Sequence, residues 1–129
     1  ISLVFDSDLT IPYNVLADKK AINTVLSNLI TNSIKYGIKG GTIEIILNDL
    51  PNSKLLVRVV DNGKGIGKKD IDRIFERFYR VDKTRSRDQG GSGLGLSIVK
   101  HIIEAHGMVI RVTSNLGIGT KFSITIAKP

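Results

Sequence analysis

The sequence predicts an α+β fold of two layers, with helices on one face of a mixed, mainly antiparallel five-stranded sheet. Three observations carry this. Strand-like and helix-like segments follow the order β-α-β-β-α-α-β-β, without the regular alternation that a parallel α/β sheet requires. Two segments show the apolar stripe of a helix packed on a core. Two pairs of β-rich runs are joined by turn-forming residues, as antiparallel hairpins are.

In chain order, the alternation Ile1-Ser2-Leu3-Val4-Phe5 gives a first strand over 2–6. It opens without an initiator Met, as a piece of a longer chain would. Asp18 stands where a helix N-cap would, and Ile22, Val25, Leu26, Leu29, Ile30 and Ile34 then recur at helical spacing until Gly37, Gly40 and Gly41. Strands are expected at 42–48 and 54–60, with Asn48-Asp49-Leu50-Pro51-Asn52-Ser53 as a longer hairpin loop, then a short helix over 68–74. Residues 79–92 hold no periodicity, many charges and closing glycines, a composition suited to a mobile loop. A second strong helix over 93–106 carries Ile98, Val99, Ile102 and Ile103 on one face, with Gly107 as its stop. Strands over 109–114 and 119–127, joined by Asn115-Leu116-Gly117, finish the chain. Without repeat or linker, 1–129 reads as a single domain.

Composition narrows the function. The 129 residues are 41% hydrophobic and 24% charged, which suits a chain able to bury its own core. Zero cysteines exclude disulfides and thiolate metal sites, and His101 and His106 alone cannot build a zinc site. The net charge of +7 calls for an anionic partner: nucleic acid, an acidic membrane or a small polyphosphate. The densest basic segment, with Arg73, Arg77, Arg80, Lys83, Arg85 and Arg87, is mixed with Asp72, Glu76, Asp82 and Asp88, so it is not a polybasic arm. Four phenylalanines, three tyrosines and no tryptophan leave little surface for stacking bases. No apolar stretch approaches the roughly 18 residues of a membrane span, so a soluble domain is expected.

Three clusters could carry chemistry. Asn28, Asn32 and Lys35 share one side of the first helix; amide oxygens can ligate Mg²⁺ and a lysine suits phosphates, though an ordinary wet helix face reads the same way. Asp61-Asn62-Gly63-Lys64-Gly65-Ile66-Gly67 ends an apolar strand. A carboxylate there can accept from an amino group such as adenine's beside exposed backbone, and a plain turn is the alternative. Gly90-Gly91-Ser92-Gly93-Leu94-Gly95-Leu96 opens the last helix with unpaired N–H groups, an anion site or a hinge. It contains no Gly-Lys-Ser/Thr and does not match the dinucleotide fingerprint.

Together these clusters resemble the catalytic ATP-binding domain of bacterial sensor histidine kinases. The resemblance covers essentially the whole chain: an N box from Asn28 to Tyr36, Asp61-x-Gly63-x-Gly65, Phe75-Glu76-Arg77-Phe78-Tyr79-Arg80, Gly91-x-Gly93-Leu94-Gly95-Leu96 and Gly117-x-Gly119-Thr120-x-Phe122. It implies a Bergerat-type sandwich in which ATP lies under a lid over residues 79–92. By that resemblance Asn32 ligates Mg²⁺ with Asn28 beside it, and Lys35 and Tyr36 face the phosphates and nucleotide. Asp61 accepts the adenine amino group, Gly63, Gly65 and Ile66 line the base pocket, and Thr120 sits near Asp61. Arg80 is a phosphate contact, and Gly91, Gly93, Leu94 and Gly95 offer backbone N–H groups to the phosphates.

ATP-hydrolysing relatives, such as type II topoisomerase and mismatch-repair subunits, carry a general-base Glu four residues before the magnesium Asn. Here that position is Asn28, which cannot take a proton, so hydrolysis is expected to be slow. The resemblance implies that the γ-phosphoryl goes to a histidine on a separate dimerisation domain and then concerns a response regulator. His101 and His106 are read as structural or exposed. Ser33 replaces the usual Ala beside the magnesium Asn, and Met108 stands where many relatives have a second glycine. Rival readings are an ATP-hydrolysing switch or an anti-sigma-type serine kinase of the same fold, and a nucleic-acid-binding module. No nucleic acid is expected as partner. The domain is expected to be monomeric and cytoplasmic, within a parent that is a dimeric membrane sensor.

Overall fold

The computed structural model describes residues 2–6, 18–79 and 94–128. The elements are β1 (Ser2–Asp6), α1 (Lys19–Lys35), β2 (Thr42–Leu50), β3 (Lys54–Asp61), α2 (Lys68–Ile71), α3 (Gly95–Ala105), β4 (Val109–Asn115) and β5 (Gly119–Ala127). The five strands form one sheet in the order β1-β2-β3-β5-β4. Strand β1 runs parallel to β2 and every other pairing is antiparallel. The expected mixed sheet backed by three helices is what forms.

Alternation decides which side of each strand meets the helices. Ile43 and Ile45 of β2, Leu55, Val57 and Val59 of β3, and Phe122, Ile124 and Ile126 of β5 all point inward and are buried. Against them pack Val25 and Leu29 of α1, Val99 and Ile103 of α3, and Ile74 beyond α2. Phe75 meets Phe122 edge to face, with ring centroids 6.3 Å apart. This single core fixes the register of the sheet, because a one-residue slip would turn every inward side chain to the other face.

The structure departs from the sequence expectation in several details. Pairing in the first hairpin continues to Leu50↔Lys54, so its loop is only Pro51-Asn52-Ser53, with Asn52 and Ser53 in the left-handed region. Pairing in the second continues to Asn115↔Gly119, which leaves Leu116-Gly117-Ile118 as the turn. The helix expected over 68–74 stops at Ile71 and the chain continues as turns. The last helix begins at Gly95, and its expected start at 93 lies outside the described residues, as do Arg80, Gly91 and all of the loop expected over 79–92 except Tyr79. Ile34 and Ile98 are exposed, although the apolar pattern included both. Ile34 is nine residues, or two and a half turns, from Val25, so it faces the opposite way. The position that does complete the buried stripe after Val25 and Leu29 is Ser33.

Asp18 caps α1 by accepting the Ala21 N–H at 3.1 Å, as its place in the sequence predicts. His106 closes α3 and takes a structural part: Nδ1 donates to the Ile102 carbonyl at 2.8 Å and Nε2 accepts the Asp18 N–H at 3.4 Å. It thereby ties the start of α1 to the end of α3. His101 is exposed.

Candidate functional site

Asp61 is the last residue of β3 and continues the inward series Leu55, Val57, Val59, so alternation alone turns a carboxylate toward the helices. Its side chain is 8% exposed. Oδ1 accepts the Gly63 N–H at 2.9 Å, and Oδ2 has no hydrogen-bond partner among the described residues. Across the ladder Asp61 faces Thr120, which begins the inward series of β5 and is also buried. The end of the sheet thus presents a carboxylate and a hydroxyl inside the helix layer.

The loop after Asp61 is held by close backbone approaches. A Cβ on Gly63 would lie 2.5 Å from the Tyr36 carbonyl oxygen, and that same oxygen accepts the Lys64 N–H at 3.1 Å. Gly65 adopts φ +76° and packs its Cα against the Asn115 carbonyl, where a Cβ would stand 2.1 Å from the oxygen. Only glycine fits there, on both conformational and steric grounds. Ile66 is buried in the core and donates its N–H to Ser114 Oγ at 2.7 Å.

Ser114 is the residue that the sequence reading missed. Its Oγ lies 2.9 Å from the Gly119 carbonyl and 2.8 Å from Thr120 Oγ1 besides accepting from Ile66. One hydroxyl therefore joins β4, β5 and the glycine loop, and it aligns Thr120. A serine on an edge strand has no distinctive signal. Only the pairing Ser114↔Thr120 brings it to the site.

A narrow crevice beside Asp61 is lined by Ser33 and Gly37 of the α1 end, Gly41, Thr42 and Ile43 at the start of β2, and Asn62 and Gly63. Gly65, Ile66, Asn32 and Lys35 do not line it. Asn62 braces the crevice wall, accepting the Thr42 N–H at 2.7 Å.

The second cluster lies along α1. Asn28 donates from Nδ2 to the Thr24 carbonyl at 2.9 Å, and its Oδ1 would be 3.0 Å from a Cβ on Gly95. Helix α3 thus starts against Asn28, and Gly95 of its first turn lies beside the N box. Asn32 is half-buried and its side-chain amide meets no hydrogen-bond partner among the described residues. Lys35 Nζ stands over the Tyr36 ring, 5.0 Å from its centroid. Among the described residues no side chain caps α3 at Leu94, and the N–H groups of its first turn lie at that end of the helix with the positive end of the dipole.

No group of three or more His, Cys, Asp or Glu suited to a metal occurs among the described residues. A magnesium ion that arrives on phosphates needs no such cage, since it usually takes one or two protein oxygens besides phosphate and water. The unpaired amide of Asn32 fits that requirement.

Beyond α2, Tyr79 donates its hydroxyl to Asp70, which is buried. The hydrogen bond, together with burial, raises the Tyr79 phenol above its ordinary range. Arg73 stacks on the Tyr79 ring at 4.5 Å and pairs with Glu76 at 2.6 Å.

A sheet backed by helices on one side, with an inward carboxylate, a glycine loop and a helix N-terminus beside the N box, defines a nucleotide-binding domain. Comparison with known proteins gives the lineage. Residues 17–129 match the family of histidine kinase-, DNA gyrase B- and HSP90-like ATPases, and the chain belongs to it, as a catalytic ATP-binding domain of the sensor histidine kinase type. It is 42% identical over 120 residues to the sensor-like histidine kinase SenX3 of Mycolicibacterium smegmatis, covering 93% of this chain and 31% of that protein. With the sensor histidine kinase WalK of Bacillus subtilis it shares 44% identity over 110 residues, 84% of this chain and 18% of that one. The chain therefore spans less than a third of these relatives. Among solved structures, the mycobacterial sensor histidine kinase MprB superposes with a TM-score of 0.81 at 27% identity, over 98% of this chain and 82% of that one. The catalytic domain of the histidine kinase ThkA gives 0.76 at 32%, over 98% and 77%.

Proposed function

We propose that this single domain binds MgATP and supplies its γ-phosphoryl group to a histidine on a separate dimerisation domain of a longer, dimeric sensor kinase, for relay to a response regulator. The observation that carries the reading is Asp61: a buried carboxylate with one oxygen fixed by Gly63 N–H and the other unpaired, aimed where an amino group of a base would be accepted. A relative of the same fold, ShkA, at 26% identity and a TM-score of 0.80, covering 99% of this chain and 26% of that one, is known in complex with AMPPNP.

In this reading Asp61 and Thr120 receive the adenine edge, while Gly63, Gly65 and Ile66 shape the wall beside it. Asn28, Asn32, Lys35 and Tyr36 receive the phosphates, together with the backbone of Leu94 and Gly95 and with Arg80, Gly91 and Gly93. Asn32 would hold a Mg²⁺ ion, which would supply neutralisation of the phosphate charge. Transfer breaks the bond between the γ-phosphorus and the β,γ-bridging oxygen and forms one to the acceptor imidazole nitrogen. ADP leaves, and the phosphorylated ring gives up the proton on its other nitrogen. The protein's work is positioning and charge stabilisation. Asn28 is engaged with its own helix and cannot serve as a base for water, so the phosphoryl group is kept for the histidine. Such a domain works in the cytoplasm, where ATP is. Among the described residues no helix is long and apolar enough to cross a membrane.

The test is a calorimetric titration with a non-hydrolysable ATP analogue, with and without Mg²⁺. Asp61→Asn keeps an oxygen for the Gly63 N–H and should weaken binding by roughly 10- to 100-fold, the value of a hydrogen bond to a charged group. Asn32→Ala should remove the magnesium dependence. An unmodified chain that does not bind, or an Asp61→Asn variant that binds equally well, overturns the reading.

A further inference from the structure

The alternation that turns Leu55, Val57 and Val59 toward the helices turns Lys54, Leu56, Arg58 and Val60 of β3 the other way. Strand pairing carries this outward face across the sheet. Arg58 stands level with Ser123 and, one strand further, with Arg111, while Val60 stands level with Lys121. The core and the helices that form it lie on the inward side, so no described helix covers the outward one. Across β2 to β5 the outward positions hold four cations, Lys54, Arg58, Arg111 and Lys121, against one acid, Glu44. Three of the cations form a compact group: the backbones of Arg58 and Arg111 are two strands or about 10 Å apart, and Lys121, on the strand between, is about 8 Å from each. None of the three has an ion pair among the described residues. Arg58 Nη2 donates to the neutral Asn48 Oδ1 at 2.6 Å, and its buried Nε has no partner. Like charges side by side on neighbouring strands repel, so the arrangement costs the isolated sheet stability unless a counter-charge comes from outside. A nucleotide beside Asp61 cannot supply it, because Asp61 points to the other side of the sheet.

We infer that the outward face of the sheet is a docking surface for an acidic amphipathic helix of a partner protein. Ile46, Leu56 and Val60, half-buried on β2 and β3, form an apolar strip along one side of the cation group. A helix laid along β3 sets its apolar stripe on that strip and its flanking carboxylates on Arg58, Lys121 and Arg111. Carboxylates four residues apart on a helix are spaced by about 6 Å, close to the roughly 7 Å between successive outward positions of a strand, so the two registers match. Such a helix completes a three-layer arrangement, with helices on both faces of the sheet. Charge decides against a second copy of the chain, which would bring the same cations against these. Lipid and nucleic acid would supply negative charge. Among the described residues, however, Val109 is the one large apolar side chain exposed on this face, and no aromatic stands there to enter a membrane or stack on bases.

The test follows the backbone amides of the isotopically labelled chain by NMR during titration with a synthetic helical peptide that carries leucines on one stripe and glutamates at i and i+4 beside it. Amides around Arg58, Ser123 and Arg111 should shift, the shifts should persist in a saturating ATP analogue, and added salt should weaken them. The double variant Arg111→Gln, Lys121→Gln should bind the peptide roughly three- to tenfold more weakly, as the loss of two exposed ion pairs does. It should melt no lower than the parent, since it relieves repulsion, and this separates a lost contact from a lost fold. Absence of shifts on this face overturns the inference, as does equal binding by the double variant. A control peptide with lysines in place of the glutamates should not bind, and equal binding by it overturns the role of charge. Shifts at Asn28, Asn32 and Lys35 that vanish with the analogue would place the peptide in the phosphate region and overturn it too. Shifts produced as readily by phosphatidylglycerol vesicles or by duplex DNA overturn the protein partner in favour of those surfaces, and shifts that grow with chain concentration alone do so in favour of self-association.

Discussion

At the Asp61 end of the site, backbone packs on backbone: Gly63 against the Tyr36 carbonyl, Gly65 against the Asn115 carbonyl, and a serine hydroxyl joining three segments. At the Asn28 end, by contrast, side chains project from one helix toward the start of another, where the Asn28 amide oxygen would lie 3.0 Å from a Cβ on Gly95. The first arrangement suits a rigid base of constant shape. In the proposed reading the second suits phosphates and their cation, which bring their own charge and geometry. A glycine substitution should expose the difference most sharply. Gly65→Ala places a Cβ 2.1 Å from a carbonyl oxygen at φ +76°, and we expect a loss of about 3–5 kcal/mol in denaturant unfolding, with nucleotide binding abolished.

The next effect in size should come from the hydroxyl hub. Ser114→Ala leaves the Ile66 N–H without its acceptor and releases Thr120, at a cost of about 1–3 kcal/mol. Ser114→Thr retains the hydroxyl on a strand that favours β-branching, and should recover most of both stability and affinity. If Ser114→Ala melted and bound like the parent, the Asp61 end would be held by its glycines alone.

How much of this was legible beforehand follows from the kind of interaction involved. Period-2 alternation runs from Leu55 through Val59 into Asp61, and from Phe122 through Ile126 back to Thr120, so the inward carboxylate and its neighbour could be found by counting. The helical stripe is equally readable at Val25 and Leu29, but apolar character points to Ile34 where the helical angle continues the stripe at Ser33, one residue earlier. The residue that truly continues it, Ser33, is polar and was seen only as a small replacement. Ser114 was invisible for a different reason: its partners are 48, 5 and 6 residues away and meet only through the register of β4 on β5. From the sequence, Gly95 offers backbone access to phosphates. The structure adds that it admits Asn28, a contact between two helices that no local pattern encodes.

That contact supplies the matching test at the phosphate end. Gly95→Ala should alter stability by about 1 kcal/mol or less, because helix propensity gained offsets a 3.0 Å contact with the end of a flexible amide. Displacing Asn28 should nonetheless weaken binding of an ATP analogue roughly two- to tenfold, as the loss of one hydrogen bond does. The same alanine would then be severe for the fold at residue 65 and mild at residue 95, with binding lost at one and only reduced at the other. Equal destabilisation at both would erase the distinction between a built cradle and a ligand-completed one.

The smallest effect concerns the flank of the built end, where Tyr79 bonds to Asp70 just beyond α2. Folding favours the protonated phenol, because ionising it would set a phenolate against the carboxylate that now accepts its hydrogen bond. The phenol in the unfolded chain ionises near the ordinary value of about 10, so above that pH the unfolded state holds fewer protons than the native one. Stability from this bond is therefore complete below the unfolded value and declines as pH rises through the higher native one. In an absorbance titration of the phenols, the native domain should show a component that ionises above the ordinary tyrosine range, and Tyr79→Phe should remove it. Below that range the two proteins should differ by a pH-independent amount in melting temperature, and the difference should shrink toward alkaline pH. A gap that instead widened with pH would mean that the phenol is not held by Asp70, and the segment leading out of α2 would then belong with the open end of the site rather than the braced one.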